Sequence, residues 1–316
     1  MAQAPQISIV IPACRSGNIL PKLIEQLGDM LARHFSSYEV ILVDDCSPDN
    51  TWKAIETICL STPWVKGIGL RKSAGQHGAI VAGLNYASGE VIVTMDDDLQ
   101  HSPADVPALY AKIREGYDVC YTEFDSRNHE KWKILGSQFN NLVATLLLKK
   151  PYDLYLSSFK AFHRDIKDEI IKYQGPFPYV DGLILTVTKH ITTIKVAHHA
   201  RLEGESNYSL SKLVRLWMHM ATNFSILPLR LASYLGIAFS FMGFILAIGL
   251  IIMKLFSNDT PEGWTSLAVA ILVIGGIQLL AIGAIGEYLG RAFLLLNRQP
   301  QFVIRRKQNI SDDGQS

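Results

Sequence analysis

The sequence predicts an α/β domain with a mostly parallel sheet, followed by an amphipathic helix and a two-helix membrane hairpin. Three observations carry this reading. Short β-branched runs alternate with helix-period segments up to Ser209. Polar clusters follow the ends of those runs, above all Asp96-Asp97-Asp98. Charge then disappears from two long stretches after Arg230.

Gln6 to Pro12 reads as a strand, and a helix is expected from about Asn18 to His34. Tyr38 to Asp44 is a second strand, with a helix over Pro48 to Leu60 that Ser47 or Asp49 would cap. Val65 to Leu70 is a third strand, followed by a helix from about Gln76 to Ala87, and Glu90 to Met95 is a fourth. Strands alternating with helices imply parallel pairing, with ligands at the carboxyl ends of the strands. No GxGxxG follows the first strand and no GxxxxGK[ST] occurs, which argues against a dinucleotide site and a P-loop.

The acidic run sits where such a sheet binds ligands. Val91-Ile92-Val93-Thr94-Met95 is a buried-strand pattern, and Pro103 with Asp105 marks a helix start. Asp96 and Asp98, with the amide of Gln100, offer oxygen ligands at alternate positions, suited to a hard divalent cation such as Mg²⁺ or Mn²⁺. The competing reading is a solvated acidic turn. A strand end is a costly place for three unpaired carboxylates. Pro12 to Arg15, Asp44 to Ser47 and Arg71 to His77 are further polar clusters at carboxyl ends. Each alone could be a cap, but capping does not explain why all lie along one sheet edge.

Net charge is +1, so no nucleic-acid partner is expected. The four cysteines, Cys14, Cys46, Cys59 and Cys120, form no CxxC pair and read as reduced, mostly buried thiols. Met1 to Pro5 lacks a basic region followed by an apolar core, so a cleavable signal peptide is not expected.

Leu231 to Met253 and Trp264 to Gly286 are uncharged, each about 23 residues and long enough to cross a bilayer. The link Ser257 to Gly263 has no Lys or Arg, whereas Arg230 precedes the first stretch and Arg291, Arg298, Arg305, Arg306 and Lys307 follow the second. The positive-inside rule then puts both termini in the cytoplasm. Lys254 opposes the rule but can snorkel from a helix end. Leu210, Leu213, Val214, Trp217, Met220 and Phe224 form one helical face, either lying on the membrane or packed on the soluble domain. The expected division is 1–208 cytoplasmic α/β domain, 209–229 amphipathic membrane-surface helix, 230–296 membrane hairpin and 297–316 cytoplasmic tail. Gly275, Gly276, Gly283, Gly286 and Gly290 leave room for close helix contacts, and a homo-oligomer is expected.

Ser8-Ile9-Val10-Ile11-Pro12, Val43-Asp44-Asp45-Cys46-Ser47, Gly75-Gln76-His77 and Asp96 to Gln100 together resemble the inverting GT-A glycosyltransferases. Arg201-Leu202-Glu203-Gly204-Glu205-Ser206-Asn207-Tyr208-Ser209 and Gly286-Glu287-Tyr288-Leu289-Gly290-Arg291 resemble their polyprenyl-phosphate branch. The similarity runs from Gln6 to Arg306. It implies a nucleotide-sugar donor, UDP-linked by preference, a polyprenyl phosphate acceptor (undecaprenyl or dolichyl), and an enzyme of the cytoplasmic membrane. By position, Pro12, Ala13, Asp44, Asp45, Arg71, Gln76, Asp96 and Asp97 would hold the donor. Asp98 would be the main metal ligand, with Asp96 and Gln100 assisting. Asp153 matches a carboxylate proposed as base, and equally suits a turn. Arg201, with Arg127 and Ser206, would hold the acceptor phosphate. His198 and His199 are expected to end a strand. Asp97 replaces a small residue and is expected to turn outward or bind water, Asn207 stands where relatives often carry Lys, and the segment from Glu123 to His129 has fewer basic residues than relatives usually carry. A polysaccharide acceptor is the rival reading, weakened by the absence of a QxxRW motif. An inactive membrane scaffold is the other, opposed by the intact acidic run.

Overall fold

The computed structural model describes residues 4–124, 145, 150–151, 153–175, 177–196, 263–297 and 300–310, together with 234, 236–239, 241–242, 245, 248 and 252. The chain divides into two compact units. One joins Met1–Ser209 to Arg298–Ser316, and the other is Leu210–Asn297.

The first unit is built on β1 (Ile7–Ala13), β2 (Tyr38–Asp44), β3 (Val65–Leu70), β4 (Val91–Thr94), β5 (Val119–Phe124), β6 (Lys160–His163), β7 (Ile191–Val196) and β8 (Ile304–Gln308). They form one eight-stranded sheet in the order β7-β5-β6-β4-β1-β2-β3-β8. β1 pairs in parallel with both β2 and β4, and β2 with β3. β6 enters antiparallel between β4 and β5, and β5 pairs in parallel with β7. The mostly parallel sheet is therefore as the sequence predicts, with β4 and its acids near the middle.

Helices α1 (Leu20–His34), α2 (Thr51–Ser61), α3 (Gly75–Leu84), α4 (Val106–Arg114), α5 (Arg164–Ile170) and α6 (Val180–Val187) accompany it. In α1, Leu20, Leu23, Ile24, Leu27, Met30 and Leu31 are buried at three- and four-residue spacing, the period of one helix face. α2 starts later than the sequence predicts because Asp49 Oδ1 accepts from the Thr51 amide at 3.2 Å and the Thr51 hydroxyl at 2.6 Å. α3 ends at Leu84 rather than Ala87, where Asn85 turns its side chain back to the Val81 carbonyl at 2.8 Å. The helix expected at Pro103 begins as a 3₁₀ turn, Pro103–Asp105, capped by Ser102 and continuing into α4.

α3 is buried on every side from Gly78 to Leu84. A Cβ on Gly83 would stand 2.4 Å from Val10 Cγ1 and 3.0 Å from Val43 Cγ2, so only glycine lets α3 lie this close to β1 and β2. The helix that begins at the site is thereby locked to the two central strands.

β8 belongs to the stretch read from sequence as a tail. Its pattern, Ile304-Arg305-Arg306-Lys307-Gln308, is exposed and basic in the middle, as suits an edge strand. That composition hides a strand from a search for apolar alternation.

In the second unit, α7 (Trp264–Leu296) is 33 residues long. Its segment Ile274–Leu296 has a mean hydropathy of 1.6 and no buried residue, and it is the one helix among the described residues long and apolar enough to cross a membrane. Leu267, Ile271, Leu279, Ile282, Leu289 and Phe293 are all exposed. Most of the first expected span and all of the amphipathic segment lie outside the described residues.

Candidate active site

Three loops at the carboxyl ends of β1, β2 and β4 each contain a non-glycine residue in the left-handed region: Arg15 (φ 60°), Cys46 (φ 59°) and Leu99 (φ 59°). Such conformations cost roughly 1–3 kcal/mol each and collect where a site needs a particular backbone path. Nothing in the residue types foretells them.

These loops hold the acidic run apart. Asp97 accepts from the Cys14 amide at 3.1 Å and from the Ser16 hydroxyl, which ties the end of β4 to the loop after β1. Of the two expectations for Asp97, turning outward or binding water, the first is not met, since the carboxylate turns inward to these donors. Burial raises its pKa, and Asp96 adds to that, while the Ser16 and Cys14 hydrogen bonds pull it back. Asp96 takes Gln76 Nε2 on Oδ1 at 2.7 Å and the Ser158 hydroxyl on Oδ2 at 2.6 Å. It is thus gripped between the first turn of α3 and the strand end before β6. Asp98 is buried and accepts from the Gln100 amide at 3.1 Å, which closes the turn through Leu99. Gln100 is placed beside Asp98 by this backbone bond. His101 stacks on Phe159 at 5.0 Å and floors the turn.

The acids of β2 serve the neighbouring loops. Asp44 Oδ1 accepts from the Ser47 amide at 3.0 Å. Asp45 accepts three times: Ser73 Oγ at 2.7 Å, the Ala74 amide at 2.6 Å and the Gly75 amide at 3.0 Å. A carboxylate just past the end of β2 therefore caps α3 from another element, where two N–H groups and the helix dipole favour negative charge. The sequence suggests Asp44 and Asp45 as partners for a base or ribose; the structure commits Asp45 to holding α3. Pro12 and Ala13 close β1 opposite Val43 and Asp44. Arg71 has an exposed side chain, and its amide donates to the Val303 carbonyl at 2.7 Å.

A polar cluster behind Asp96 escaped the sequence reading. Lys160, fully buried on β6, pairs with Asp181 of α6 and donates to the Ser157 carbonyl at 3.0 Å. Tyr121 donates to Asp181 at 2.9 Å, and burial, then Asp181, raise its pKa well above the usual range. With both charges paired and hydrogen-bonded, this buried ion pair is tolerable. The available signal was a lysine between Phe159 and Ala161 at the start of an apolar strand, which needs a partner. His77 packs edge-on against Tyr179 at 4.8 Å, and its buried Nδ1 has no hydrogen-bond partner among the described residues. Burial pushes its pKa down to about 4, with Asp181 raising it and Lys160 lowering it. The ring is neutral at ordinary pH.

Asp153 is exposed in a turn, near Lys150, whose ammonium donates to the Leu154 carbonyl at 2.7 Å. Arg127, Arg201 and Ser206 lie outside the described residues, as do His198 and His199 beyond the last residue of β7, Val196.

Residues 8–171, which run from the second residue of β1 past β6 and include the whole acidic run, match the description Glycosyl transferase family 2. The chain belongs to this family. Its relatives extend the match to nearly full length. The uncharacterised glycosyltransferase YkcC of Bacillus subtilis is 32% identical over 315 residues, covering 99% of this chain and 97% of its own. An undecaprenyl-phosphate 4-deoxy-4-formamido-L-arabinose transferase of Proteus mirabilis is 32% identical over 304 residues, covering 95% and 93%. Among solved structures, glucosyl-3-phosphoglycerate synthase of Mycobacterium tuberculosis, in complex with Mn²⁺, UDP and phosphoglyceric acid, superposes with a TM-score of 0.51. At 18% identity over 69% of this chain and 76% of that one, the likeness is one of fold. The family-two chain described here is accordingly a glycosyltransferase with a GT-A α/β fold.

Proposed function

We propose that this glycosyltransferase moves a sugar, with inversion, from a nucleotide sugar to a polyprenyl phosphate at the cytoplasmic face of the membrane. The observation that carries the reading is the acidic run at the carboxyl end of β4. Asp96 is braced by Gln76 and Ser158, Asp97 is tied to the loop after β1, and Asp98 lies in the turn between them and Gln100. The acceptor is inferred from the near-full-length match to transferases named for undecaprenyl phosphate. A UDP-linked sugar is the donor class we favour.

The residues fit a divalent cation. Asp96 and Asp98 supply hard oxygen donors two positions apart in sequence, and the side-chain amide of Gln100 offers a further oxygen two positions on, a donor set suited to Mg²⁺ or Mn²⁺. Among the described residues no three His, Cys, Asp or Glu side chains converge on one point, so diphosphate oxygens of the donor would complete the set. When bound, the ion offsets the negative charge that builds on the departing diphosphate. The protein's own part is positional. Asp96 and Asp98 are held before the donor arrives, which removes the entropy of arranging them during the reaction. An acceptor phosphate oxygen attacks the anomeric carbon while the bond to the diphosphate breaks. The attacking phosphate monoester is largely ionised near neutrality (second pKa about 6), so Asp153 is needed as base only for the remaining protonated fraction. Arg201, with Arg127 and Ser206, would hold the acceptor phosphate by charge-assisted hydrogen bonds.

We propose two crossings, α7 and the uncharged stretch Leu231 to Met253, with the division of the chain read from sequence. β7 and β8 belong to one sheet, and an even number of crossings between them would keep both strands on the same side of a bilayer. Membranes containing the protein, given labelled UDP-sugar and undecaprenyl phosphate, should transfer label into the organic-extractable lipid. Label appearing only in free sugar or in polysaccharide would defeat the reading.

A further inference from the structure

We infer that β8 is a working part of the donor site, a clamp that positions the groups holding Asp45 and Asp96. The nucleotide readout rests on the donor reading above; the clamp itself goes beyond it.

β8 closes the free edge of β3 in an antiparallel ladder, with Gly67 opposite Gln308, Ile68 opposite Lys307 and Gly69 opposite Arg306. The register then shifts, so that Leu70 stands opposite Ile304 and Arg305 is the extra residue. A bulge of this kind bends its strand and redirects the neighbouring backbone. Here it lies at the end of β3, immediately before the loop that enters the site. The pairing continues past the bulge, because the Arg71 amide donates to the Val303 carbonyl at 2.7 Å. Within the next few residues Ser73, Ala74 and Gly75 donate to Asp45, and Gln76 donates to Asp96. The backbone from Arg71 to Gln76 is thus anchored to β8 at one end and to the acids at the other.

The remaining contacts of β8 secure the same frame. Asn309 adopts φ 56°, and its Nδ2 donates to the Cys59 carbonyl at 2.7 Å and the Val65 carbonyl at 2.9 Å. One side chain thereby pins the end of β8 to both α2 and the start of β3. The Arg306 guanidinium lies 5.3 Å over the Trp52 ring. That ring lies flat on Gly69, where a Cβ would come within 2.9 Å of Cε3. The Lys307 ammonium lies 5.3 Å over Tyr86, just beyond the end of α3. β8 therefore reaches the elements on either side of the Arg71–Ala74 loop as well as the loop itself. A bare edge at β3 would take from that loop its Arg71–Val303 anchor, leaving the acids and the Cys46 thiol on the Arg71 carbonyl to hold it.

The test uses the full-length protein in detergent, a form truncated after Asn297, and the point variants Asn309→Ala and Asn309→Asp, the latter isosteric but without the amide donor. Amide exchange is read at Ala74 and Gly75, and Mn²⁺–UDP affinity by calorimetry. Truncation should speed exchange at both amides at least tenfold and weaken UDP about tenfold, with Val91–Thr94 exchanging as in wild type. Both Asn309 variants should shift the same readouts by about threefold, raising donor KM while kcat at saturating donor stays within twofold. Unchanged exchange at Ala74 and Gly75 would overturn the clamp, as would acceleration spread equally over β4 in the point variants. If wild type binds no UDP, the donor reading fails, and the exchange data still decide on β8.

Discussion

Replacing Asp45 by Asn tests whether α3 is held in place by a carboxylate from the loop after β2. Oδ1 accepts from Ala74 at 2.6 Å, and Oδ2 accepts from Gly75 at 3.0 Å and from Ser73 at 2.7 Å. An asparagine keeps one oxygen. Its NH₂ group must then face a backbone N–H that cannot accept a hydrogen bond. A lost charge-assisted bond is worth roughly 1.5–3 kcal/mol, and removing the negative charge from a helix N-terminus adds about 0.3–1 kcal/mol. The sum, about 3 kcal/mol, is local to the loop and first turn. Each factor of ten corresponds to about 1.4 kcal/mol, so protection of the Ala74 and Gly75 amides should fall by roughly a hundredfold. Hydrogen exchange followed by mass spectrometry at peptide resolution reads this directly, with β4 as internal control. A change below threefold at those amides would refute the argument that Asp45 anchors α3.

The same geometry sets other expectations. Asp98→Ala should cut transfer by about two to three orders of magnitude while leaving the melting temperature near wild type, and excess EDTA should do the same to wild type; full activity in EDTA would remove the metal from the account. His77 is neutral in the fold, with a pKa of about 4 against 6.5 ordinarily. The unfolded chain binds that proton first, so stability is full above about pH 6.5 and declines as pH falls toward 4, by up to about 3 kcal/mol. His77→Leu should flatten this acid limb in melting temperatures taken from pH 7 to 4.5, and an unchanged limb would mean that other groups cause it. Gly83→Ala puts a methyl 2.4 Å from Val10 Cγ1, and overpacking of this kind costs about 1–3 kcal/mol; thermal melting should drop by several degrees.

Much of the catalytic domain was legible because it rests on local patterns. The β-branched runs at Ile7, Tyr38, Val65 and Val91 are strands, and α1 carries its buried face at the expected spacing. Asp96, Asp97 and Asp98 stand at the end of a central strand as their position after Met95 implied. What stayed hidden depends on partners far away in sequence. Asp45 as a cap for α3 requires a contact across about thirty residues, which no spacing rule encodes. Lys160 and Asp181 are ordinary charges until β6 and α6 bring them together. β8 was the largest omission. Arg305, Arg306 and Lys307 carry the signature of an exposed cytoplasmic flank, and the same residues suit an edge strand. Charge alone does not separate the two.

The reaction proposed for this protein places a sugar on a polyprenyl monophosphate. Mass spectrometry of the polyprenyl phosphate pool, in cells with wild-type protein and with Asp98→Ala, tests it most directly. A glycosylated polyprenyl monophosphate should accumulate with wild type and be absent from the variant. A pool that is identical in the two strains, or a sugar carried on polyprenyl diphosphate instead, would contradict the account.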